Sequence, residues 1–129
     1  MPYTVEWTSD GAIISMFGRI LFKDLADTNE AVFYSRKAKS LNYVIWDGTR
    51  IDNFNALLDM DAKELGSNDG YLSLTTVTQK LKFALVSSDP QMIPLLDSYI
   101  QMHEELGSNW IVRKYDNMQD ALSWVNQPV

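Results

Sequence analysis

Five aspartates, Asp47, Asp52, Asp59, Asp61 and Asp89, stand near segments that read as strand ends or helix starts. Carboxylate oxygens are the donors that Mg²⁺ and other hard cations take, and open α/β sheets gather ligands at the carboxyl ends of their strands. Convergence of these side chains there would build an acidic site. Their spacing follows no known metal loop, and Asp89 and one of Asp59 or Asp61 are accounted for as helix caps, so no metal or cofactor is assigned. His103 is the only histidine. It falls on a helical stripe with Met92, Leu96, Tyr99 and Leu106. Catalysis or metal binding needs a nucleophile or a second ligand within its reach, and the adjacent Glu104 and Glu105 point elsewhere on a helix. It reads as a partly buried packing residue. Ser87 and Ser88 precede a helix start, where backbone N–H groups can hold an anion. Asp89 beside them repels an anion, which leaves capping as their simpler role. No residue is assigned to catalysis.

Asp47-Gly48-Thr49 is similar to the second half of the Asp-x-Asp-Gly-Thr loop of haloacid-dehalogenase-type phosphatases, whose first aspartate is the nucleophile. Ile45 stands at that position. The tripeptide therefore reads as a strand-ending turn. A Mg-dependent acidic enzyme of phosphatase type, using the aspartate cluster, is the alternative to a non-catalytic protein.

Composition narrows the field. The chain has 129 residues, 46% of them hydrophobic, which suits one packed domain over residues 1–129. It has no cysteine; a thiol nucleophile, a disulfide scaffold and a cysteine zinc site are excluded. A net charge of −6 opposes nucleic-acid binding, which needs a basic surface. Arg36, Lys37 and Lys39 read as a solvated helix face. No apolar run is long enough to span a bilayer, and the start lacks the pattern of a signal peptide. A cytoplasmic location is expected.

The elements that would position these residues follow from periodicity. Tyr3 to Thr8 alternates and Ala12 to Phe17 follows a Ser9-Asp10-Gly11 turn, which predicts a hairpin. Gly18 breaks the pattern, and Phe22 to Leu41 looks helical. Tyr43-Val-Ile-Trp46 is apolar on both faces, as a central strand covered by helices must be. A helix beginning near Asp59 or Asp61 follows. Gly66 and Gly70 either weaken it, each at about 1 kcal/mol against alanine, or break it; Leu72, Leu74 and Val77 resume the apolar pattern beyond them. Phe83–Val86 is a buried strand. A helix capped by Asp89, with Pro90 at its first position, runs to Leu106 and stops at Gly107. Trp110–Val112 is a strand, and Asp116–Val125 a final helix. The expectation is an α/β fold: a mixed, mostly parallel four- to five-stranded sheet with an N-terminal β-hairpin and about four helices.

This order resembles the STAS domains and, more closely, the SpoIIAA-like group of small bacterial proteins. The resemblance rests on the opening hairpin, the strands Tyr43-Val-Ile-Trp-Asp47 and Lys82-Phe-Ala-Leu-Val86, and the ending Val112 to Trp124 with its Ala121-Leu-Ser-Trp124 element. It implies that fold over nearly the whole chain. STAS anti-sigma-factor antagonists carry a phosphorylatable serine at the start of the helix after the third strand. The matching region here, about Asn53 to Ala62, contains no serine or threonine, so no phospho-switch is expected there. The resemblance also implies binding of a lipid or another apolar ligand in the crevice at the strand ends. Met92, Met102, Met118, Trp110 and Trp124 suit a flexible apolar pocket or contact surface. The expectation is a binding or regulatory module that takes a protein partner, a second copy of itself, or a small apolar ligand. Asp47, Thr49, Ser87, Ser88 and Met92 are its candidate ligand-binding residues.

Overall fold

The alternating residues Tyr3–Trp7 (β1) and Gly11–Arg19 (β2) pair antiparallel, with Tyr3 opposite Met16 and Trp7 opposite Ala12. The turn between them is closed by Thr8, whose backbone N donates to the Gly11 carbonyl and whose Oγ1 accepts from the Gly11 N–H, both at 2.9 Å. These and the elements below come from a computed structural model, which describes residues 2–75 and 80–128. From β2 onward the chain alternates helix and strand: α1 (Phe22–Phe33), β3 (Tyr43–Asn53), α2 (Asp59–Thr75), β4 (Lys82–Val86), α3 (Ile93–Leu106), β5 (Ile111–Tyr115) and α4 (Met118–Val125). The strands lie in sequence order, β1-β2-β3-β4-β5, and every pair after the hairpin is parallel. The expected α/β architecture is the one the chain adopts.

The order has a steric consequence. Right-handed crossovers that always step the same way across a sheet place their helices on one face. Accordingly Val44 and Trp46 of β3 and Phe83 and Leu85 of β4 share a core with Val32 and Phe33 of α1, Leu65 and Leu72 of α2, and Leu96 and Tyr99 of α3. On the other face Tyr43, Ile45, Ala84 and Val86 pack against Ala121, Trp124 and Val125 of α4. β3 and β4 are thus apolar on both faces because both faces are covered.

Several boundaries differ from the periodicity. β3 does not end at Asp47-Gly48-Thr49. It runs on to Asn53, pairing with β2 alone past Asp47, and the register shifts between Ser15 and Phe17, so the tripeptide lies in an irregular part of the strand. Gly18 bends β2 without ending it, at φ 72°, a conformation that favours glycine. α1 stops at Phe33, well short of Leu41. Ser35 is extended there and its Oγ donates to the Val32 carbonyl, occupying a last-turn acceptor; a short 3₁₀ turn over Arg36–Ser40 follows. Asp89 does not cap α3. Its Oδ1 accepts the Gln91 N–H at 2.9 Å in a turn of its own, and the helix begins at Ile93 with Pro94 in its first turn.

Gly66 and Gly70 lie inside a continuous α2. A methyl group at Gly66 would stand 2.7 Å from the Tyr99 carbonyl oxygen and 2.8 Å from Met102 Cβ, and one at Gly70 2.8 Å from Leu106 Cδ1. The glycines let α2 and α3 approach closely. Gly66→Ala gains about 1 kcal/mol of helix propensity but meets backbone, and such overpacking costs about 1–3 kcal/mol. A net loss of stability is expected in urea denaturation; a stabilised variant would show that the two helices part freely. Val77 lies outside the described residues. Among the described residues no helix is long and apolar enough to cross a membrane.

Candidate functional site

Beneath α1, α2 and α3, towards the carboxyl ends of β3 and β4, lies a cavity of about 70 Å³. Trp46, Phe83 and Leu85 form its sheet side, Leu25, Leu57, Leu65, Leu95 and Leu96 flank it from the helices and the β3–α2 connection, and the exposed Leu58 stands at its open side. Its wall also carries Thr28, Asn29, Asp69 and Tyr99. Thr28 is satisfied locally, its Oγ1 donating to the Leu25 carbonyl at 2.7 Å.

Asp69 is the unusual member. It lies on the buried stripe of α2 with Leu65, Leu72 and Ser73 and is 3% exposed. Asn29 Nδ2 of α1 donates to its Oδ1 at 2.7 Å, and the Tyr99 hydroxyl of α3 donates to its Oδ2. Burial pushes the Asp69 carboxyl up to about 7, partly opposed by the two hydrogen bonds. Burial, and then the charge of Asp69, push the Tyr99 phenol well above its ordinary range. One carboxyl thus ties the three helices together and sits at the edge of an apolar space.

On its outer side Asp69 also borders a groove of about 730 Å³ between α1 and α2. Asn29, Leu65 and Asp69 line both spaces. Phe22, Glu30, Glu64, Tyr34 and Tyr71 line the groove, and the last two are 69% and 58% exposed.

The residues singled out from the sequence are distributed differently. Met92 is buried and lines the cavity. Asp47 and Thr49 do not. Asp47 shares the sheet face of Tyr43 and Ile45 by strand alternation, and its Oδ1 accepts from Thr49 N at 3.0 Å and Thr49 Oγ1 at 2.6 Å. Ser87 is buried with its Oγ accepting the Asp89 N–H at 3.2 Å, and Ser88 is exposed. None of the four lines either space. The reason is topological: with α1, α2 and α3 all on one face, β2 to β5 contain no switch point at which neighbouring connections part and open a crevice. The space opens between the helices and the sheet instead.

The aspartates do not converge. Asp59 accepts from Ser98 and pairs with Lys63 at 3.2 Å, and these contacts hold its carboxyl below the ordinary range. Asp61 Oδ2 accepts the Leu58 N–H at 2.8 Å at the start of α2. Asp47 and Asp89 are engaged as above. Among the described residues no group of three or more His, Asp or Glu side chains is placed to share a metal ion.

His103 is 3% exposed. Its Nδ1 lies 2.7 Å from Ser108 Oγ. The Ser108 hydroxyl donates to Ser73 Oγ at 3.0 Å, and Ser73 in turn donates to the Gly70 carbonyl at 2.6 Å. With the serine proton so used, the hydrogen on this bond belongs to Nδ1, and Nε2 is left as a buried acceptor without a protein partner. The ring stacks on Trp110 at 5.5 Å. Burial brings His103 down to about 4. This is the reverse of a hydrolase triad, where the serine meets Nε2 and a carboxylate meets Nδ1; here no carboxylate touches the ring among the contacts described.

Sequence reasoning missed Asp69, Asn29 and Tyr99 as a group. The available signal was an aspartate at the apolar spacing Leu65, Asp69, Leu72, which a loop reading of Gly66–Gly70 conceals. Comparison of the chain with family models, curated proteins and solved structures gives no match in any of the three.

Proposed function

We propose that this chain is a SpoIIAA-like, non-catalytic binding domain of the cytoplasm that holds a small apolar ligand beneath its three crossover helices. The observation that carries the reading is the cavity: an apolar space in the core, bordered by one buried carboxyl and continuous in its lining with a surface groove. Ligand sites are concave, mostly apolar, and oriented by a few polar groups. The element order, with its opening hairpin, alternating parallel strands and final helix, supports the family reading. The exposed Tyr34 and Tyr71 beside the groove leave room for regulation by a protein partner or a second copy of the chain, and the net charge of −6 argues against nucleic acid.

Thermal-shift measurement against small apolar compounds, with native mass spectrometry of the purified protein for a retained ligand, tests the reading. A ligand at a hundredfold excess over its Kd stabilises the fold by about 2.7 kcal/mol. Ala62 lines the cavity, and Ala62→Leu, which fills part of it, is expected to abolish the shift while the domain stays folded. No stabilisation by any compound, and no retained ligand, would defeat the proposal.

A further inference from the structure

We infer that the ligand of this cavity is a small organic amine, its ammonium group paired with Asp69 and a short alkyl group inserted between Trp46 and the helices. The inference rests on the binding role proposed above and names its ligand class.

Three observations converge on it. The first is the lack of a counter-charge for Asp69 among the residues that line the two spaces. A carboxylate accepts about four hydrogen bonds, and Asp69 has one neutral donor on each oxygen, Asn29 and Tyr99. A buried charge needs a paired opposite charge, yet no Lys, Arg or His lines the cavity or the groove among the described residues. Burial accordingly keeps this carboxyl partly protonated near neutral pH, pushed up to about 7. A ligand cation supplies what the fold omits.

The second is the sign of the titratable groups that line the cavity and the groove; His103, one turn on from Tyr99 with its ring 4.8 Å from the phenol ring, lines neither. α2 contributes Asp61 to the cavity and Glu64 and Tyr71 to the groove, α1 contributes Glu30 at the groove, with Tyr34 just past its end, and α3 contributes Tyr99. The sheet contributes Trp46, Phe83 and Leu85, none of which titrates. All of these groups are acids or phenols. A fatty acid or phosphate ester approaching this site meets only like charge, whereas an ammonium is attracted. Phe22, Tyr34 and Tyr71 add ring faces along the groove, and ring faces attract cations.

The third is size. A cavity of about 150 Å³ takes benzene, so one of about 70 Å³ takes a smaller group, propyl or butyl rather than a lipid chain. The large groove outside is where the remainder of a longer amine lies.

The test compares n-butylamine, n-butanol and butyrate on the intact protein at pH 8 by isothermal titration. Butylamine is expected to bind about tenfold or more tightly than butanol, as a charge-assisted hydrogen bond implies, and butyrate more weakly than either. At pH 6 the amine should drive out about one proton as Asp69 ionises, read from the buffer dependence of the heat. Asp69→Asn should bring butylamine down to the affinity of butanol. The probe series and the proton count need only the native chain, so an unfolded variant leaves the test intact. Equal binding of butanol and butylamine without proton release overturns the amine and leaves the cavity reading standing. Binding of none of the three, in a protein that no apolar compound stabilises, defeats the cavity reading itself.

Discussion

Trp46→Ala is expected to destabilise the domain by about 3–5 kcal/mol, the range for removing a buried aromatic side chain. Trp46 is 7% exposed on the central strand, between β2 and β4. Its Nε1 donates to Met16 Sδ at 3.0 Å, a weak acceptor, so the loss is chiefly one of packing. Trp46 also forms a wall of the cavity. Truncation would join the new void to the existing one, and residual cavity volume raises the cost of such a substitution. Trp7, half-buried on the edge strand β1, is the control and should cost clearly less as alanine. Chemical denaturation of both variants is the measurement, and a loss below about 1 kcal/mol for Trp46→Ala would remove Tyr43–Trp46 from the centre of the sheet.

The second large effect concerns pH and is hidden in the native chain. Asp69 titrates at about 7 in the fold against 3.8 ordinarily. Below 3.8 it is protonated folded or unfolded; as pH rises towards 7 the unfolded chain releases the proton first, so its contribution to stability is lost over that window. His103 titrates at about 4 in the fold against 6.5 ordinarily. Its contribution is present above 6.5 and is lost as pH falls towards 4. At about 1.4 kcal/mol per pH unit, each full effect is on the order of 3–5 kcal/mol, the Asp69 one the larger. Between about pH 4 and 6.5 the two slopes oppose each other, because folding takes up a proton at Asp69 and gives one off at His103. The native chain should therefore show little dependence from these two groups in that window. Asp69→Asn should expose stability that falls on acidification, and His103→Gln stability that falls on going from pH 4 to 7. Urea titrations of the three proteins at half-unit intervals check both signs. Parallel, flat profiles for all three would show that neither group is held away from its ordinary titration.

What the sequence makes legible here is what periodicity encodes. The hairpin alternation of Tyr3–Trp7, the doubly apolar Tyr43–Trp46 and the buried run Phe83–Val86 each declare a strand, because one or both faces must be covered. Gly107 declares a helix end by its αL conformation, at φ 66°. Other signals are ambiguous by nature. A glycine in a helical pattern reads as a break or as a close approach, and only the neighbouring helix decides. Gly66 against Tyr99 is such an approach, and mistaking it for a loop removes Asp69 from the buried stripe. The end of β3 was obscured in another way: past Asp47 the strand has a partner on one side only, so its residues are more polar and look like a turn. The candidate site was least legible, because Asn29, Asp69 and Tyr99 come from separate helices and meet only through tertiary packing. Met92, which its apolar side chain singles out, reaches the cavity; Asp47, Thr49, Ser87 and Ser88, singled out by their place at strand ends, do not, since that reading presupposes a switch point the strand order does not contain.

The unequal seating of the three crossover helices has a kinetic meaning. α2 and α3 are locked by the glycine contacts, whereas α1 is separated from α2 by the groove and reaches it there through the Asn29–Asp69 bond. Cooperative opening units follow such seams. The amides of α1 should therefore exchange with deuterium before those of α2 and α3, and Asn29→Ala should quicken exchange in α1 alone. Fast exchange confined to that one helix, rather than spread over the whole domain, would mark the groove as the seam along which the space beside Trp46 opens to solvent.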